Sequence, residues 1–439
     1  MTTVIRNSQR WQTFRQKIIL PKDVRSWAIA NKNTFSCASS SDEDTLCLHL
    51  CRTYISPDKH PSGAVRKSYI FEKQQDGTLK IFTVGKIFAE GGLKQIALTE
   101  PLPSTQHKVA ILVKQHMDIV KTQNMKQQQL KQSIPPEIAK FIADTPTPVQ
   151  MISDHHEMLN AKPALSMKKY AGSFDQEEWM CENNTTRQQT LQDIPKVFFS
   201  MIQTLIAIRD QGLAHSDVKP ANFLIDVDSD GNLLSFLHDF DGMLNFGKNR
   251  ISGSHPYAEI GMIVNPFSDA YAIAISLACK VFGKKHEQAL MTYLYDKDYT
   301  RFMQNAIVPK INDLIAASPL KDSIDLTSVD RNNYFTEIWQ IITQLPPSLE
   351  KEALLHNLTL LERTLHILKR ALDSNVIHAR KLQSESFLKK LKNNPKDKSL
   401  QKFYSTKLLT LEEIIQILDP QPKIKKTGFF RRFFSFCNK

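Results

Sequence analysis

A carboxylate, an ammonium and an amide stand close together in this chain. They are Asp217, Lys219 and Asn222, in the run Leu213-Ala214-His215-Ser216-Asp217-Val218-Lys219-Pro220-Ala221-Asn222-Phe223-Leu224-Ile225-Asp226. Apolar segments flank the run, so its polar groups are confined to one tight loop. A second acid, Asp239, follows the apolar stretch Leu233–Leu237. Such a set suits phosphoryl transfer, in which the protein does little covalent chemistry. That reaction needs a carboxylate to orient and deprotonate a hydroxyl, a cation beside the moving phosphoryl group, and hard oxygen ligands for magnesium.

The neighbouring elements are suited to holding such a loop. Upstream, Asp193 and Pro195 are expected to open a helix by capping chemistry. Its apolar residues Phe198, Met201, Ile202, Leu205 and Ile208 recur at helical spacing, and Gly212 closes it. Downstream, residues 222–225 and 234–237 read as two short strands joined by Asp228-Ser229-Asp230-Gly231-Asn232. From Lys67 the pattern is strand-like, with Tyr69-Ile70-Phe71 and residues 79–84 flanking an Asp76-Gly77 hairpin signal.

The run from His215 resembles the catalytic loop of protein kinases, whose pattern is His-Arg-Asp-Leu-Lys-Pro-x-Asn. His238-Asp239-Phe240-Asp241-Gly242 resembles the family's Asp-Phe-Gly motif, with Asp241 where the glycine stands. Asp241 is read either as a passive substitution or as an extra acid near a metal. Phe88 to Leu98 looks like a degenerate glycine loop, keeping Gly91 and Gly92 but with Ala89 and Lys94 at the other glycine positions. Taken alone, Gly91-Gly92 is an ordinary turn. Lys108-Val109-Ala110-Ile111-Leu112-Val113-Lys114 resembles the third strand, with Lys114 as the nucleotide-clamping lysine or a plain strand-end cation. Glu137 sits at the matching distance for its partner, and equally serves the N-terminus of its own helix behind Pro135-Pro136. Residues 115–133 read as a Gln-rich helix without glutamate. Ala164 to Phe174 looks like the fifth strand and hinge, with Lys169, Tyr170 and Ala171 along the connector where adenine docks.

The resemblance implies an α+β, two-lobed protein kinase-like fold with a small β-rich N-lobe, a helical C-lobe and a C-terminal helical extension. It implies a Ser/Thr protein kinase using ATP and Mg²⁺ on a protein substrate. Asp217 would be the base, Lys219 the phosphoryl-steadying cation, Asn222 and Asp239 the metal ligands. Gly253 to Glu259 resembles the end of the activation segment, with Ser254 as the hydroxyl that touches the catalytic Asp and Lys. Ser268 to Leu277 resembles the buried central helix, whose aspartate anchors the loop backbone. Ser216 replaces the arginine that reads a phosphorylated activation loop, so activity is expected not to depend on such phosphorylation. Two other readings stand beside this one. A small-molecule kinase of the aminoglycoside or choline type shares the Asp/Asn pattern but lacks the Lys-Pro. A pseudokinase scaffold fits the poor glycine loop but has no need for both metal ligands and a base.

Composition sets the frame. The 439 residues are 41% hydrophobic and 23% charged, as in globular proteins, and 14 glycines are few, against a usual ~7%. No apolar run approaches the ~18 residues of a membrane span, and Met1-Thr-Thr-Val-Ile-Arg begins no signal peptide. A cytoplasmic protein, peripheral to membranes at most, is therefore expected. The six scattered cysteines fit reduced thiols; Cys47 and Cys51 with His49 lack a second ligand pair for zinc.

Net charge is +12, and residues 350–439 hold 19 Lys/Arg against 9 Asp/Glu, nearly the whole excess. Residues 1–65 show no chemistry, 66–345 match the kinase-like domain, and 346–419 read as a helical extension. Its leucines 354, 358, 361, 365, 368 and 372 lie at helical spacing, and Thr410-Leu411-Glu412-Glu413 is a capping-box pattern. Further helices are expected over 376–392 and 399–418. Residues 423–439 hold six cations, five phenylalanines and no acid. That combination fits adsorption to anionic membrane lipids; the phenylalanines argue against nucleic acid, and the alternative is a tail folded onto the chain's own apolar groove.

Overall fold

Alternating apolar and polar residues from Ser68 onward form six antiparallel strands. They are β1 (Ser68–Lys73), β2 (Leu79–Glu90), β3 (Lys94–Leu102), β4 (Lys108–Val113), β5 (Thr147–His155) and β6 (Met158–Lys168). The computed structural model describes residues 68–381 and 409–419. It omits 74–78, 91–93, 103–107, 114–116, 156–157, 181–184, 229–231, 251–253, 255, 258–263, 328 and 331–333. Lys114, Gly91, Gly92, the first 67 residues and the basic tail therefore lie outside the described residues, as do Cys47, His49 and Cys51.

The six strands close into a barrel in the order β1-β2-β3-β4-β6-β5, with β1 also paired to β5. β1 and β2 pair in the register Lys73↔Leu79, and β2 and β3 in the register Glu90↔Gln95; the Asp76-Gly77 signal lies outside the described residues. Closure gives every strand two neighbours, which removes the exposed edges of an open sheet. Helix Met117–Ser133 follows β4, as the Gln-rich run predicts.

The chain divides into two compact units. One holds residues 1–128 and 144–169, the other 129–143 and 170–439. The boundary at 169/170 falls on the predicted connector. The expected helical extension from residue 346 belongs to the second unit. Helix Leu349–Lys381 packs against the central helix Ser268–Phe282, and Leu354, Leu358, Leu361, Leu368 and Leu372 are buried in one core with it. This helix runs past residue 376 without a break, correcting the expected separate helix there.

In the second unit, helix Asp193–Asp210 buries Phe198, Met201, Ile202, Leu205 and Ile208 as their spacing requires. Its start corrects the capping expectation. Gln192 is the cap residue, with no side-chain cap bond. Asp193, 2% exposed, instead accepts from Arg187 at 2.8 Å and from the Thr190 N–H and hydroxyl at 3.0 and 2.9 Å. A buried carboxylate needs such partners, and this side chain is committed to the preceding turn. Thr410 does cap helix Leu411–Leu418, accepting from Glu413 N–H at 3.0 Å. Glu413 does not complete the box, because its carboxylate is held by Arg370 at 2.8 and 3.1 Å.

Candidate active site

The loop from His215 is held by a carboxylate of the central helix, the anchor expected there. Asp269, 5% exposed at the start of the central helix, accepts the His215 N–H at 2.8 Å and the Ser216 N–H at 3.0 Å, one on each oxygen. Ser216 has φ 68°, a left-handed conformation costing about 1–3 kcal/mol for a non-glycine residue. Two charge-assisted bonds to neighbouring amides offset that strain.

His215 links this loop to the next. Its Nε2–H donates to the His238 carbonyl at 3.0 Å, leaving Nδ1 to accept the Asp217 N–H at 3.4 Å. Its ring stands edge-on to Phe240 at 5.1 Å between centroids. His238 N–H in turn donates to the Asn222 carbonyl at 3.0 Å.

Asn222 closes a short 3₁₀ turn, Pro220–Asn222, which leads into the strand Phe223–Val227 and its partner strand Leu233–Leu237. Phe223 packs edge-on to Phe198 and stacks with Phe174, so the apolar core seats the residue after Asn222. The Asn222 amide nitrogen donates to the Asp217 carbonyl at 2.7 Å and to Asp217 Oδ2 at 3.1 Å. Both partners are acceptors, so Asn222 Oδ1 faces the other way.

Asp217 is asymmetric. Oδ2 receives Lys219 Nζ at 2.8 Å as well as Asn222, whereas buried Oδ1 has no partner among the described residues. Lys219 also donates to Ser254 Oγ at 2.6 Å, the contact expected of Ser254. Burial pushes the Asp217 carboxyl up, but Lys219, Ser254 and His215 outweigh it and hold its pKa below the ordinary 3.8. The result is an ionised carboxylate with one oxygen held by Lys219 and Asn222 and the other buried without a partner among the described residues.

Asp239, half-buried, has φ 61° and leads the 3₁₀ turn Phe240–Gly242. Gly242, one residue later than the family's glycine, is a site residue the motif comparison passed over. A Cβ there would lie 3.2 Å from the His215 carbonyl and 3.3 Å from Asp217 Cβ. The sequence signal was present in Asp239-Phe240-Asp241-Gly242. The segment beyond is pinned at both ends. Leu213↔Asn245 and Ala214↔Leu244 pair, Phe246 N–H reaches the Gly212 carbonyl at 3.1 Å, and residues 247–248 exchange bonds with Val264.

The remaining predicted residues are less tightly placed. Glu137 is exposed in the first turn of the four-residue helix Pro136–Ala139, the place its helix-terminus role requires. Gln127, only 4% exposed, is the buried polar residue of helix Met117–Ser133. Lys169 and Ala171 are half-buried, and Tyr170 is buried with its ring 5.1 Å from Phe236.

No group of three or more His, Cys, Asp or Glu is arranged for a metal among the described residues. Asn222 Oδ1 and the Asp239 carboxylate are two hard donors. This sparse set fits Mg²⁺, which takes one or two carboxylates and completes its shell with water and substrate phosphate. Among the described residues no helix is long and apolar enough to cross a membrane.

An α+β chain with an anchored, half-saturated carboxylate is the class that fold and site define. No family model matches the chain, and no curated protein matches it. Among solved structures it is similar to the Cydia pomonella granulovirus kinase PK-1, at 16% identity and a TM-score of 0.33, over 44% of this chain and 68% of that one. It is also similar to the ROP18 kinase domain in complex with AMP-PNP and sucrose, at 15% identity and a TM-score of 0.36, over 76% and 95%.

Proposed function

We propose that this chain is an ATP- and Mg²⁺-dependent phosphotransferase with a two-lobed protein-kinase architecture, moving the γ-phosphate of ATP to a Ser or Thr hydroxyl of a protein. The observation that carries the reading is the division of labour on Asp217. Its Oδ2 is saturated by Lys219 and Asn222, and its Oδ1 is buried without a partner. In this role the Asp217 carboxylate takes the hydroxyl proton as the oxygen attacks. Lys219, fixed between Asp217 and Ser254, steadies charge on the phosphoryl oxygens.

Asn222 and Asp239 would hold Mg²⁺, which neutralises phosphate charge when bound. Lys114, with Gly91 and Gly92, would hold the nucleotide phosphates, and residues 169–171 would take the adenine. The basic aromatic residues 423–439 would bring the enzyme to anionic lipid surfaces.

The test is transfer of label from γ-labelled ATP to a panel of protein acceptors, with aminoglycosides and choline as small-molecule acceptors. Wild type is compared with Asp217→Asn and Asp239→Ala. Protein labelling by wild type alone is expected. Labelling of small molecules only, or of nothing, overturns the protein-kinase reading. For the tail, vesicle sedimentation of the full chain against residues 1–421 is expected to differ at least tenfold; equal binding removes the lipid role.

A further inference from the structure

Arg209 is the last residue but one of helix Asp193–Asp210, just upstream of the loop that carries Asp217. Its backbone carbonyl accepts the Gly212 N–H at 2.8 Å, and Gly212 turns the chain with φ 76°. The Gly212 carbonyl accepts the Phe246 N–H at 3.1 Å, and Leu213-Ala214 pair with Leu244-Asn245. His215 follows directly, with Asp217 two residues on. Whatever fixes Arg209 therefore fixes the start of the loop.

The Arg209 side chain is held by a residue 203 positions away in sequence. Its Nη1 lies 2.7 and 2.8 Å from the two carboxylate oxygens of Glu412. Its Nε and Nη2 donate to Asp210 at 3.2 and 2.9 Å. Burial disfavours the guanidinium charge, yet Glu412 and Asp210 more than offset this and raise its pKa above the ordinary value. Glu412 itself stands on a fixed base. Leu411, Ile414 and Leu418 of its helix are buried in one core with Leu205 and Ile208. Successive helical residues point about 100° apart, so Glu412 and Glu413 reach different helices. Glu413 accepts from Arg370 at 2.8 and 3.1 Å, and Arg363 donates to the Leu418 carbonyl at 2.6 Å. Helix Leu411–Leu418 thus bridges helices Leu349–Lys381 and Asp193–Asp210.

We propose that Glu412 is a positioning residue for phosphoryl transfer, setting through Arg209 the turn from which Asp217 is presented to the acceptor hydroxyl. The proposal rests on the phosphotransferase reading. Without Glu412 the half-buried guanidinium keeps only Asp210, which is 54% exposed, and follows that partner toward water. The last helical turn and the Gly212 bend move with it. A reacting group misplaced by about 1 Å costs on the order of a hundredfold in rate.

The experiment uses the full chain and measures both steady-state transfer from γ-labelled ATP to a protein acceptor and amide hydrogen exchange by mass spectrometry. Glu412→Ala is expected to lower kcat at least about tenfold, with KM for ATP within about twofold of wild type. Amides of residues 213–217 should exchange faster, while those of helix Ser268–Phe282 keep their wild-type rate. Glu412→Gln, whose amide oxygen still accepts from Arg209, should recover most of the loss. The double variant Arg209→Ala, Glu412→Ala should match Arg209→Ala alone in kcat, because the second change removes nothing the first has left. Wild-type kcat and exchange in Glu412→Ala overturn the proposal and leave the proposed function standing. Losses that multiply in the double variant overturn the route through Arg209. Faster exchange throughout the second unit makes Glu412 a stability residue and overturns positioning. A wild type that labels no acceptor overturns both the proposed function and this role.

Discussion

The loop from His215 to Asn222 and the barrel β1–β6 are built on opposite principles. In the loop, successive polar groups answer to partners far away in sequence: Asp269 for two amides, His238 for the His215 ring, Ser254 for Lys219. In the barrel, positions are set by strand pairing, and β2 and β3 shift register twice, between Val84 and Ile87 and between Ile87 and Ala89. Bulges and turns accept substitution locally, whereas a buried polar loop loses several bonds when one member changes. Substitutions are therefore expected to cost more in the loop from His215 than in the barrel strands.

Substitutions can break or sharpen that contrast. The largest effect is expected from Asp217→Asn, which keeps the shape and removes the base. Phosphotransfer should fall about 10²–10⁴-fold, with melting temperature nearly unchanged in a thermal scan. Asp269→Ala should come next and differ in kind, because it orphans two buried amides at about 1–3 kcal/mol each. Its melting temperature should drop by on the order of 10 °C, with activity reduced at least tenfold. An unshifted melting curve would show that the loop does not depend on this anchor.

Lys219→Ala separates charge from shape. In the wild type the Asp217 pKa lies below 3.8, so the base stays ionised throughout neutral and mildly acid pH. Removing the ammonium leaves burial unopposed by its strongest partner, so the pKa rises. The acid limb of kcat/KM should move to higher pH, alongside a lower maximum; a limb that stays put refutes the assigned electrostatics. Gly242→Ala should cost several-fold in kcat, since its Cβ would press on His215 and Asp217 at 3.2–3.3 Å, with KM for ATP nearly constant. The smallest effect is expected at exposed Glu137: Glu137→Ala should change kcat/KM less than twofold. A hundredfold loss would instead assign it the Lys114 partnership.

What sequence made legible follows the range of the interactions. The strand pair Phe223–Val227 and Leu233–Leu237 announced itself through Asp228 to Asn232, where Asp228 and Asn232 bond each other. The leucine stripe of helix Leu349–Lys381 was equally local. The Asp217 set was readable because its members share one loop, and motif order suggested Ser254 and Asp269. Barrel closure was not readable, because pairing of β1 with β5 joins residues about 80 positions apart through no local pattern. The same holds for the antiparallel pairing of strands Glu178–Met180 and Thr186–Gln188, too short for periodicity to reveal. Asp193 was misread because an acid near a helix start satisfies a cap and a buried Arg187 pair equally well on paper.

The packing of Leu349–Lys381 against Ser268–Phe282 bears on how the chain can be dissected. The central helix presents Asp269 to the loop from His215, and the long helix shields part of that same central helix from water. A fragment cut at residue 345 would leave that face wet and loosen the anchor beneath that loop. A fragment meant to keep the loop intact runs through Asp419, and crystallisation should begin there.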